Sequence, residues 1–339
     1  MAFLVTTRVS QALETEIPLQ LLFTTPTLEK YAAKCATHAQ LSDRTLSTTV
    51  IHPTDRQQPI PASFAQQRMW FLQQLEPDNS AYKISRTLRL KGKLNVEALQ
   101  QTFATLLARH EVLRTRLVTA QPGSEAAREG IPVQAIAPPT PFSLPLIHTD
   151  ENTLHTQLQQ AARRPFNLAE DLMLRANLFR LGENEHVLQV VFHHIAADGW
   201  SIGLFRRELG TLYNAYCQGK TNPQPTQPNK YTDITARQKQ WLTGNVLATQ
   251  LTYWQQQLAG APPLLELPTD HPRPPHPSHR GAKHAFTLSK SLTESLSQLS
   301  QQHNTTLFMT LLSAFKVLLF RYTQQTVIVI GSPIANRPR

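Results

Sequence analysis

Apolar positions near the N-terminus repeat with helical spacing. The segments FLVTTRVSQAL (3–13) and TPTLEKYAAKC (25–35) are helical in pattern, and EIPLQLLF (16–23) between them is apolar and turn-rich. We expect Thr25 to cap the second helix, because Pro26 after it suits the first helical position. The periodicity stops from residue 38 to residue 61, which predicts a linker.

Helix and strand patterns alternate after this linker. Ser63 and Gln66 have the spacing of a capping box, and KISRTLRL (83–90) alternates like a half-buried strand. Asn95 is expected to cap a helix whose apolar residues keep helical spacing, namely Leu99, Phe103, Leu106 and Leu107. The body of the chain is therefore predicted to be mixed α/β.

Two proline-rich stretches, NPQPTQPNK (222–230) and APPLLELPTDHPRPPHPSHR (261–280), lie in the second half of the chain. Proline excludes both from central strands and helix interiors. The apolar pattern then predicts an amphipathic helix with Leu292, Leu296 and Leu299, an apolar helix over 306–322 and a strand over TVIVIG (326–331). Lys316 and Arg321 interrupt the apolar helix, so we expect it to be buried in protein rather than in a membrane.

Composition narrows the class of protein. The chain has 339 residues, of which 40% are hydrophobic and two are cysteines, and this excludes general disorder. Cys35 and Cys217 cannot form a disulfide framework, and no zinc-type spacing of cysteine and histidine surrounds them. The apolar run at the N-terminus is too short for a signal peptide. We therefore expect a reducing, cytoplasmic setting.

The chain is basic, with a formal net charge of +10. Such a charge is compatible with nucleic-acid binding, but the basic residues are spread along the chain and form no stripe interleaved with aromatic residues. A solvated basic surface is the better interpretation.

The densest chemical signal is HVLQVVFHHIAADGWS (186–201). Val187 to Phe192 is a β-branched, apolar run of strand length, and His193, His194 and Asp198 follow it. Successive side chains of an extended chain point to opposite faces, so the two histidines cannot both enter one cleft. One of them is expected to be functional and the other structural.

Other interpretations of this segment stay open from the residues alone. A histidine at a strand end is usually a hydrogen-bonded structural residue, and Asp198 has the position of a cap for the next helix. A metal site is a further alternative, although the opposed histidine side chains disfavour joint coordination. The chain contains no Walker-type phosphate loop, so the sequence gives no support to a nucleotide-driven enzyme.

These residues carry a family resemblance. HHIAADGWS resembles the HHxxxDG motif of condensation domains in non-ribosomal peptide synthetases. Four further segments resemble the first, second, fourth and fifth motifs of that family in the same order, namely SFAQQRMWFL (63–72), RHEVLRTRL (109–117), YTDITARQ (231–238) and IGSPIANR (330–337). The resemblance covers residues 58–339.

The resemblance implies a mixed α/β (α+β) fold of two lobes, similar to chloramphenicol acetyltransferase. Residues 58–230 would form the first lobe and 231–339 the start of a truncated second lobe. Residues 1–36 resemble the C-terminal part of a peptidyl carrier domain, a short all-α remnant that a linker (37–57) joins to the body. Ala2 stands where that family has its phosphopantetheine serine, so no covalently bound cofactor is expected, and no metal either.

The resemblance also implies the reaction. Condensation domains join the acyl or peptidyl thioester of an upstream carrier to the amine of a downstream carrier-bound aminoacyl thioester. His194 would accept the proton of the amine or orient the amine, with His193 as support and Gly199 offering its N–H to the oxyanion. Asp198 would fix the loop by pairing with Arg337. The remaining supporting residues implied around the site are Arg68, Arg114, Trp200 and Ser201.

The expected partners are upstream and downstream carrier domains with 4′-phosphopantetheine arms and a neighbouring adenylation domain, with no nucleic acid and no membrane. The motif wording favours an L donor and an L acceptor. A coenzyme-A-dependent acyltransferase of the same fold, an epimerisation domain and a non-catalytic carrier-docking fragment are the rival functions. A heterocyclisation domain would have aspartates in place of the histidines. We expect the isolated chain to be inactive, because the cleft needs both lobes.

Overall fold

The computed structural model describes residues 2–13, 17–25, 27–42, 60–77, 81–128, 130–225, 230–272, 274–275, 281–282 and 284–333. The chain divides into two compact units. One comprises residues 51–250, and the other comprises residues 1–50 together with residues 251–339. Residues 231–250, which the family resemblance assigns to the second lobe, therefore lie in the same unit as the first.

Three helices form the described part of the N-terminal segment: α1 (Ala2–Ala12), α2 (Leu19–Thr24) and α3 (Leu28–Ser42). The segment EIPLQLLF was expected to be rich in turns, but most of it forms helix α2. The prediction for Thr25 is wrong, because Thr25 follows the end of α2 and the next helix begins only at Leu28. Thr27 caps that helix instead, since its Oγ1 accepts a hydrogen bond from Lys30 N at 3.3 Å. Pro26 lies outside the described residues.

The N-terminal helices extend further along the chain than the sequence pattern indicates. The periodicity stops at residue 38, but α3 continues to Ser42. The start predicted for the linker is therefore wrong by several residues. Most of the predicted linker falls within residues 43–59, which lie outside the described residues.

These helices enclose a small core of their own. Ile17, Tyr31 and Cys35 are buried together, and the Tyr31 hydroxyl lies 3.4 Å from Thr6 Oγ1. In the same unit the ring of Phe23 lies 5.7 Å from the ring of Phe308. The N-terminal helices thus pack against the C-terminal part of the chain.

The described part of residues 51–250 contains seven strands and most of the remaining helices. The strands are β1 (Ile60–Pro61), β2 (Lys83–Lys91), β3 (Thr115–Val118), β4 (Val133–Ile136), β5 (Leu146–His148), β6 (Leu174–Gly182) and β7 (Glu185–His193). The helices are α4 (Phe64–Leu75), α5 (Val96–Arg109), α6 (Glu125–Arg128), α7 (Glu151–Arg163), α8 (Gly199–Cys217), α9 (Tyr231–Trp241) and α10 (Gly244–Gln257), the last of which continues past residue 250. A short 3₁₀ helix (Glu111–Arg114) connects α5 to β3.

The strands form two sheets. The larger has the order β2-β7-β6-β5, with β7 antiparallel to both of its neighbours and β5 parallel to β6. The smaller has the order β1-β4-β3 and is antiparallel. Strand β7 lies inside the larger sheet and nearly all of its residues are buried, which is why its sequence is apolar rather than alternating. The prediction of a mixed α/β body is confirmed.

The helix caps predicted for α4 and α5 are confirmed. Ser63 Oγ accepts from Gln66 N at 3.2 Å while Gln66 Oε1 accepts from Ser63 N at 2.8 Å, which closes the capping box of α4. Asn95 Oδ1 accepts from Ala98 N at 3.0 Å and caps α5. Each cap satisfies backbone N–H groups that have no partner within the helix.

Helices α5 and α8 cover one face of the larger sheet. Phe103 and Leu106 of α5 and Leu212 of α8 are fully buried against Leu178 and Leu188 of the sheet. Phe192 at the end of β7 contacts Phe205 of α8 edge to face, with ring centroids 4.9 Å apart. The strand and the helix that flank the HHxxxDG segment are therefore both anchored in the main core.

A buried polar network joins the first motif to the fourth. Ser63 Oγ lies 2.9 Å from the hydroxyl of Tyr231, and Gln66 Nε2 donates to Gln134 Oε1 at 3.0 Å. Gln134 in turn donates to the carbonyl of Pro61 at 3.1 Å. Helix α9 is thereby bonded to the start of α4 and to the smaller sheet.

The described part of residues 258–339 contains the last two helices, α11 (Lys290–Gln302) and α12 (Leu307–Thr323). The prediction that α12 is buried is wrong, because Phe308, Leu311, Phe315 and Leu318 on one side of it are each more than 40% exposed. No described helix is by itself long and apolar enough to cross a membrane. Helices α11 and α12 reach the necessary length and apolar character only when they are taken together, and the pair is bent by 104°.

The strand expected over TVIVIG is absent from the described residues, since 326–331 is irregular there. Val327 and Val329 are both about half exposed. A strand requires a neighbour that exchanges backbone hydrogen bonds with it, and no described strand lies beside this segment. The amphipathic helix with Leu292, Leu296 and Leu299 is confirmed as α11, which begins after its cap Ser289.

We predict that Phe103→Ala lowers the free energy of unfolding by about 3–5 kcal/mol, because it removes a fully buried ring and leaves a cavity between α5 and α8. Phe71→Ala is the matched control, since Phe71 lies on α4 of the same unit and is 57% exposed. Urea denaturation followed by far-ultraviolet circular dichroism measures both. Equal effects of the two substitutions would contradict the core described above.

Candidate active site

The HHxxxDG segment begins where β7 ends. His193 is the last residue of β7 and pairs with Lys83 of β2. The backbone N–H of His193 donates to the carbonyl of Met173 at 3.1 Å, and that of His194 donates to the carbonyl of Tyr82 at 2.8 Å. Both histidines are therefore fixed at the backbone by chain segments on either side of β7.

The two histidine side chains have opposite environments. His193 is 7% exposed, whereas His194 is an exposed residue. This agrees with the alternation of side chains along an extended chain. The strand therefore turns one imidazole into the protein and leaves the other accessible to a reactant.

His193 is held by an aromatic contact and a hydrogen bond. Its ring lies edge to face with Phe166 at 5.6 Å, and its Nδ1 accepts from the backbone N–H of Ile195 at 3.1 Å. Burial lowers the pKa of His193 to about 4, and the positive charges of His194 and Lys83 add to the effect. The imidazole is thus neutral near pH 7, with its proton on Nε2, and it braces the turn that carries His194.

Asp198 and Ser201 fix the start of α8. Asp198 Oδ1 accepts from Ser201 N at 2.8 Å and from Ser201 Oγ at 2.6 Å, and Ser201 Oγ accepts from Asp198 N at 3.3 Å. Asp198 is therefore the N-cap of α8, in line with the capping alternative of the sequence. A carboxylate here also matches the positive end of the helix dipole.

Gly199 and Trp200 form the first turn of α8 and are exposed. The φ angle of Gly199 is not in the left-handed region, and a Cβ added there would meet no described atom within 4 Å. Neither backbone strain nor crowding by described atoms requires glycine at this position. The space beside Gly199 is accessible to a substrate atom.

The arginines predicted to support the site have different environments. Arg114 is buried and donates to the carbonyls of Leu107 at 3.2 Å and of Ala137, so in the described structure it bonds to backbone rather than to a carboxylate. Arg68 is exposed on α4 and pairs with no described carboxylate. Arg337, the expected partner of Asp198, lies outside the described residues.

Sequence reasoning missed two cations beside His193. Lys83 Nζ donates to the carbonyls of Arg163 and, at 3.0 Å, of Arg164, while Arg175 lies 3.8 Å above the ring of Phe166. Burial, with the charge of Arg175, lowers the pKa of Lys83 to about 8. The sequence contains no signal for this placement, because the pairing of Lys83 with His193 joins two distant strands.

A metal centre has no support within the described ranges. No group of three or more His, Cys, Asp or Glu side chains is arranged there to hold an ion. His193 offers only Nε2, because its Nδ1 is occupied by Ile195 N.

The described strands and helices form a mixed α/β protein in which the HHxxxDG segment connects a sheet strand to a helix, and comparison with known proteins identifies its family. A family model described as Condensation domain matches residues 56–339. The chain therefore belongs to the condensation-domain family.

Similar proteins include large synthetases. Malpibaldin synthetase of Mortierella alpina is 42% identical over 329 residues, which is 95% of this chain and 6% of that protein. Among solved structures, the X-domain from teicoplanin biosynthesis is 29% identical with a TM-score of 0.72, covering 80% of this chain and 59% of that one. The first condensation domain of the CDA synthetase has a TM-score of 0.62 at 21% identity, covering 79% of this chain and 63% of that one. The latter likeness shows the fold alone.

We predict that acid destabilises the protein through His193. The pKa of His193 is about 4 in the folded state and about 6.5 in the unfolded chain, so between these values only the unfolded chain gains the proton. The free energy of unfolding should fall by up to about 3 kcal/mol as the pH drops from about 7.5 to 4, and His193 should contribute almost no slope above about pH 7.5.

Urea denaturation of the wild type and of His193→Gln at pH 7.5, 6 and 5 checks this prediction. The variant should have the shallower pH dependence. His155→Gln serves as the control, because His155 is an exposed histidine on α7. Identical slopes for the wild type and His193→Gln would show that His193 titrates equally in both states.

Proposed function

We propose that this chain supplies the condensation site of a non-ribosomal peptide synthetase. In the proposed reaction the amine of a downstream aminoacyl thioester attacks the carbonyl carbon of an upstream acyl or peptidyl thioester. A C–N bond forms, the C–S bond breaks and the thiol of the upstream arm is released. The motif wording favours an L donor and an L acceptor.

One observation carries the proposal. In the segment HHIAADG, His194 is exposed, while its neutral neighbour His193 is buried and accepts a hydrogen bond from the backbone N–H of Ile195. One accessible imidazole thus follows a strand of the sheet and precedes the N-terminus of α8 by five residues. Membership of the condensation-domain family supports the same assignment.

His194 has the role of proton acceptor in this proposal. Conversion of a thioester to an amide is downhill, so the site must position two substrates and remove one proton from the amine. The positive end of the α8 dipole and the N–H of Gly199 are suited to the negative charge that develops on the carbonyl oxygen. Asp198 acts through its cap on α8 rather than on the substrates.

The proposed partners follow from the same assignment. The chain spans only 6% of the length of malpibaldin synthetase, so its substrates would be made and carried by other parts of a larger protein. These parts are an adenylation domain and carrier domains, whose 4′-phosphopantetheine arms deliver both thioesters. Residues 1–36 would belong to the upstream carrier and 58–339 to the condensation body, with a linker between them that begins after α3. We place this assembly in the cytoplasm.

We predict that His194→Ala in the intact parent synthetase lowers the rate of amide formation by about 10²–10⁴-fold, because the amine loses its proton acceptor. The rate is measured by mass spectrometry from two preloaded carriers. His155→Ala is the control and should leave the rate unchanged. Unaltered product formation by His194→Ala would remove His194 from the mechanism.

The isolated chain provides a second prediction. We expect the 339-residue protein to release little or no amide from synthetic pantetheine thioesters, because it covers only 59% of the X-domain structure that it resembles and leaves apolar side chains of α12 exposed. Liquid chromatography of reactions with and without the chain measures the product. Turnover comparable with that of the parent synthetase would contradict the need for a second lobe.

A further inference from the structure

A buried carboxylate lies outside the HHxxxDG segment, on the helix that the segment begins. Glu208 of α8 is 7% exposed and meets an arginine and a histidine at the end of α5. Its Oε2 lies 2.5 Å from His110 Nε2, and its Oε1 accepts from Arg109 Nε at 3.3 Å. Each carboxylate oxygen therefore has its own partner.

The charge of Glu208 is stabilised by these partners. Burial raises the pKa of its carboxyl, but the hydrogen bond from His110 and the charges of His110 and Arg109 outweigh burial, so the pKa lies below its ordinary value. Glu208 is thus an anion at neutral pH. Removal of its charge would leave Arg109, whose side chain is only 13% exposed, without this counter-ion.

The position of this ion cluster along α8 matters. Glu208 lies ten residues after the cap Asp198, which is about 15 Å along the helix axis. The other polar links between α5 and α8 in the described structure are those of Tyr213 to Asn95 N, at 3.1 Å, and of Tyr216 to Thr105, at 2.7 Å. Both lie further from the cap. Glu208 is therefore the polar anchor nearest to Gly199 among these links.

The same cluster holds the chain that leads into the fourth motif. Arg109 also donates to the carbonyl of Pro225, and Lys230 Nζ donates to the carbonyl of Arg109 at 3.4 Å. Tyr231, the next residue, bonds to Ser63. One carboxylate thus orients an arginine that fixes both α8 and the segment before α9.

Apolar contacts alone restrict the position of α8 along its own axis less closely than the bonds of Glu208 do. Leu209 and Leu212 pack against α5 through non-directional contacts, whereas a carboxylate bonded at both oxygens admits one arrangement. A buried ion pair adds little net stability compared with apolar side chains, but it specifies geometry. The geometry that it specifies here is the position of the α8 N-terminus relative to the turn that carries His194.

We propose that Glu208 is a positioning residue for the condensation site, acting through α8 on Gly199 and on the turn of His194. This inference rests on the proposed function only for its kinetic consequence. Its structural consequence holds for the chain by itself: loss of the Glu208 charge displaces the first turn of α8.

Nuclear magnetic resonance of the 339-residue chain tests the structural consequence. Glu208→Gln should shift the amide resonance of Gly199 and the ring resonances of His194. Glu185→Gln is the matched control, because Glu185 pairs with Arg89 at 2.8 Å at an exposed site, and it should leave both resonances unchanged. Glu208→Asp keeps the charge and should cause a smaller shift in the same direction. Glu208→Asp replaces Glu208→Gln in this experiment if Glu208→Gln does not fold. An unchanged amide resonance of Gly199 in the folded variants would overturn the proposal.

The kinetic arm uses the intact parent synthetase. Glu208→Gln should lower kcat by roughly tenfold to a hundredfold with KM for the loaded carriers changed by less than about twofold, because binding is kept and alignment is lost. Glu208→Asp should recover part of kcat. A lower melting temperature with unchanged kcat for the folded enzyme would show a merely structural residue and overturn the proposal. If the wild-type synthetase forms no amide, the proposed function fails, while the resonance shifts still decide the positioning role.

Discussion

The alternation of side chains at the end of β7 determines the rest of this site. Because β7 is bonded to β2 and β6 along its length, it cannot rotate to bring both histidines to one face. His193 must be accommodated inside the protein, and this requires Phe166 against its ring and a neutral imidazole. His194 is left on the accessible side. The pleat of the strand thus determines which of the two histidines is accessible and which is buried.

Helix α8 supplies the second half of the arrangement. Its N-terminus is closed by the reciprocal bonds of Asp198 and Ser201, and its apolar side is packed against α5. The motif is therefore a turn between two rigid elements, both of which belong to the main core. Such a turn keeps its geometry without bonds to a substrate, and the proposed alignment of two tethered reactants would require this rigidity.

Much of this arrangement follows from local sequence chemistry. The capping box of Ser63 and the cap by Asn95 depend only on neighbouring residues, and the opposed histidines follow from the period of a strand. Contacts between distant segments do not follow in this way. The bond of Ser63 to Tyr231 and the ion cluster of Glu208 join residues far apart in the chain, and no periodicity encodes them. The carbonyl partners of Arg114 were missed for the same reason.

Where the predictions from the sequence were wrong, the causes are also physical. The Thr-Pro pair at 25–26 has the composition of a helix start, but α2 extends to Thr24 and displaces the next helix to Leu28. TVIVIG has strand propensity without a strand beside it among the described residues, and propensity alone does not form a sheet. For α12, apolar composition correctly predicts a helix, yet burial depends on what packs against it.

The exposed side of α12 affects the behaviour of the chain in solution. Phe308, Leu311, Phe315 and Leu318 form one stripe along the helix, and apolar stripes of this kind promote self-association. The net charge of +10 opposes it, because like-charged molecules repel at distances up to the Debye length. Added salt shortens that distance and leaves the apolar attraction in place. The solubility of this protein is therefore a balance between a helix face and a screened charge, and low ionic strength is its favourable medium.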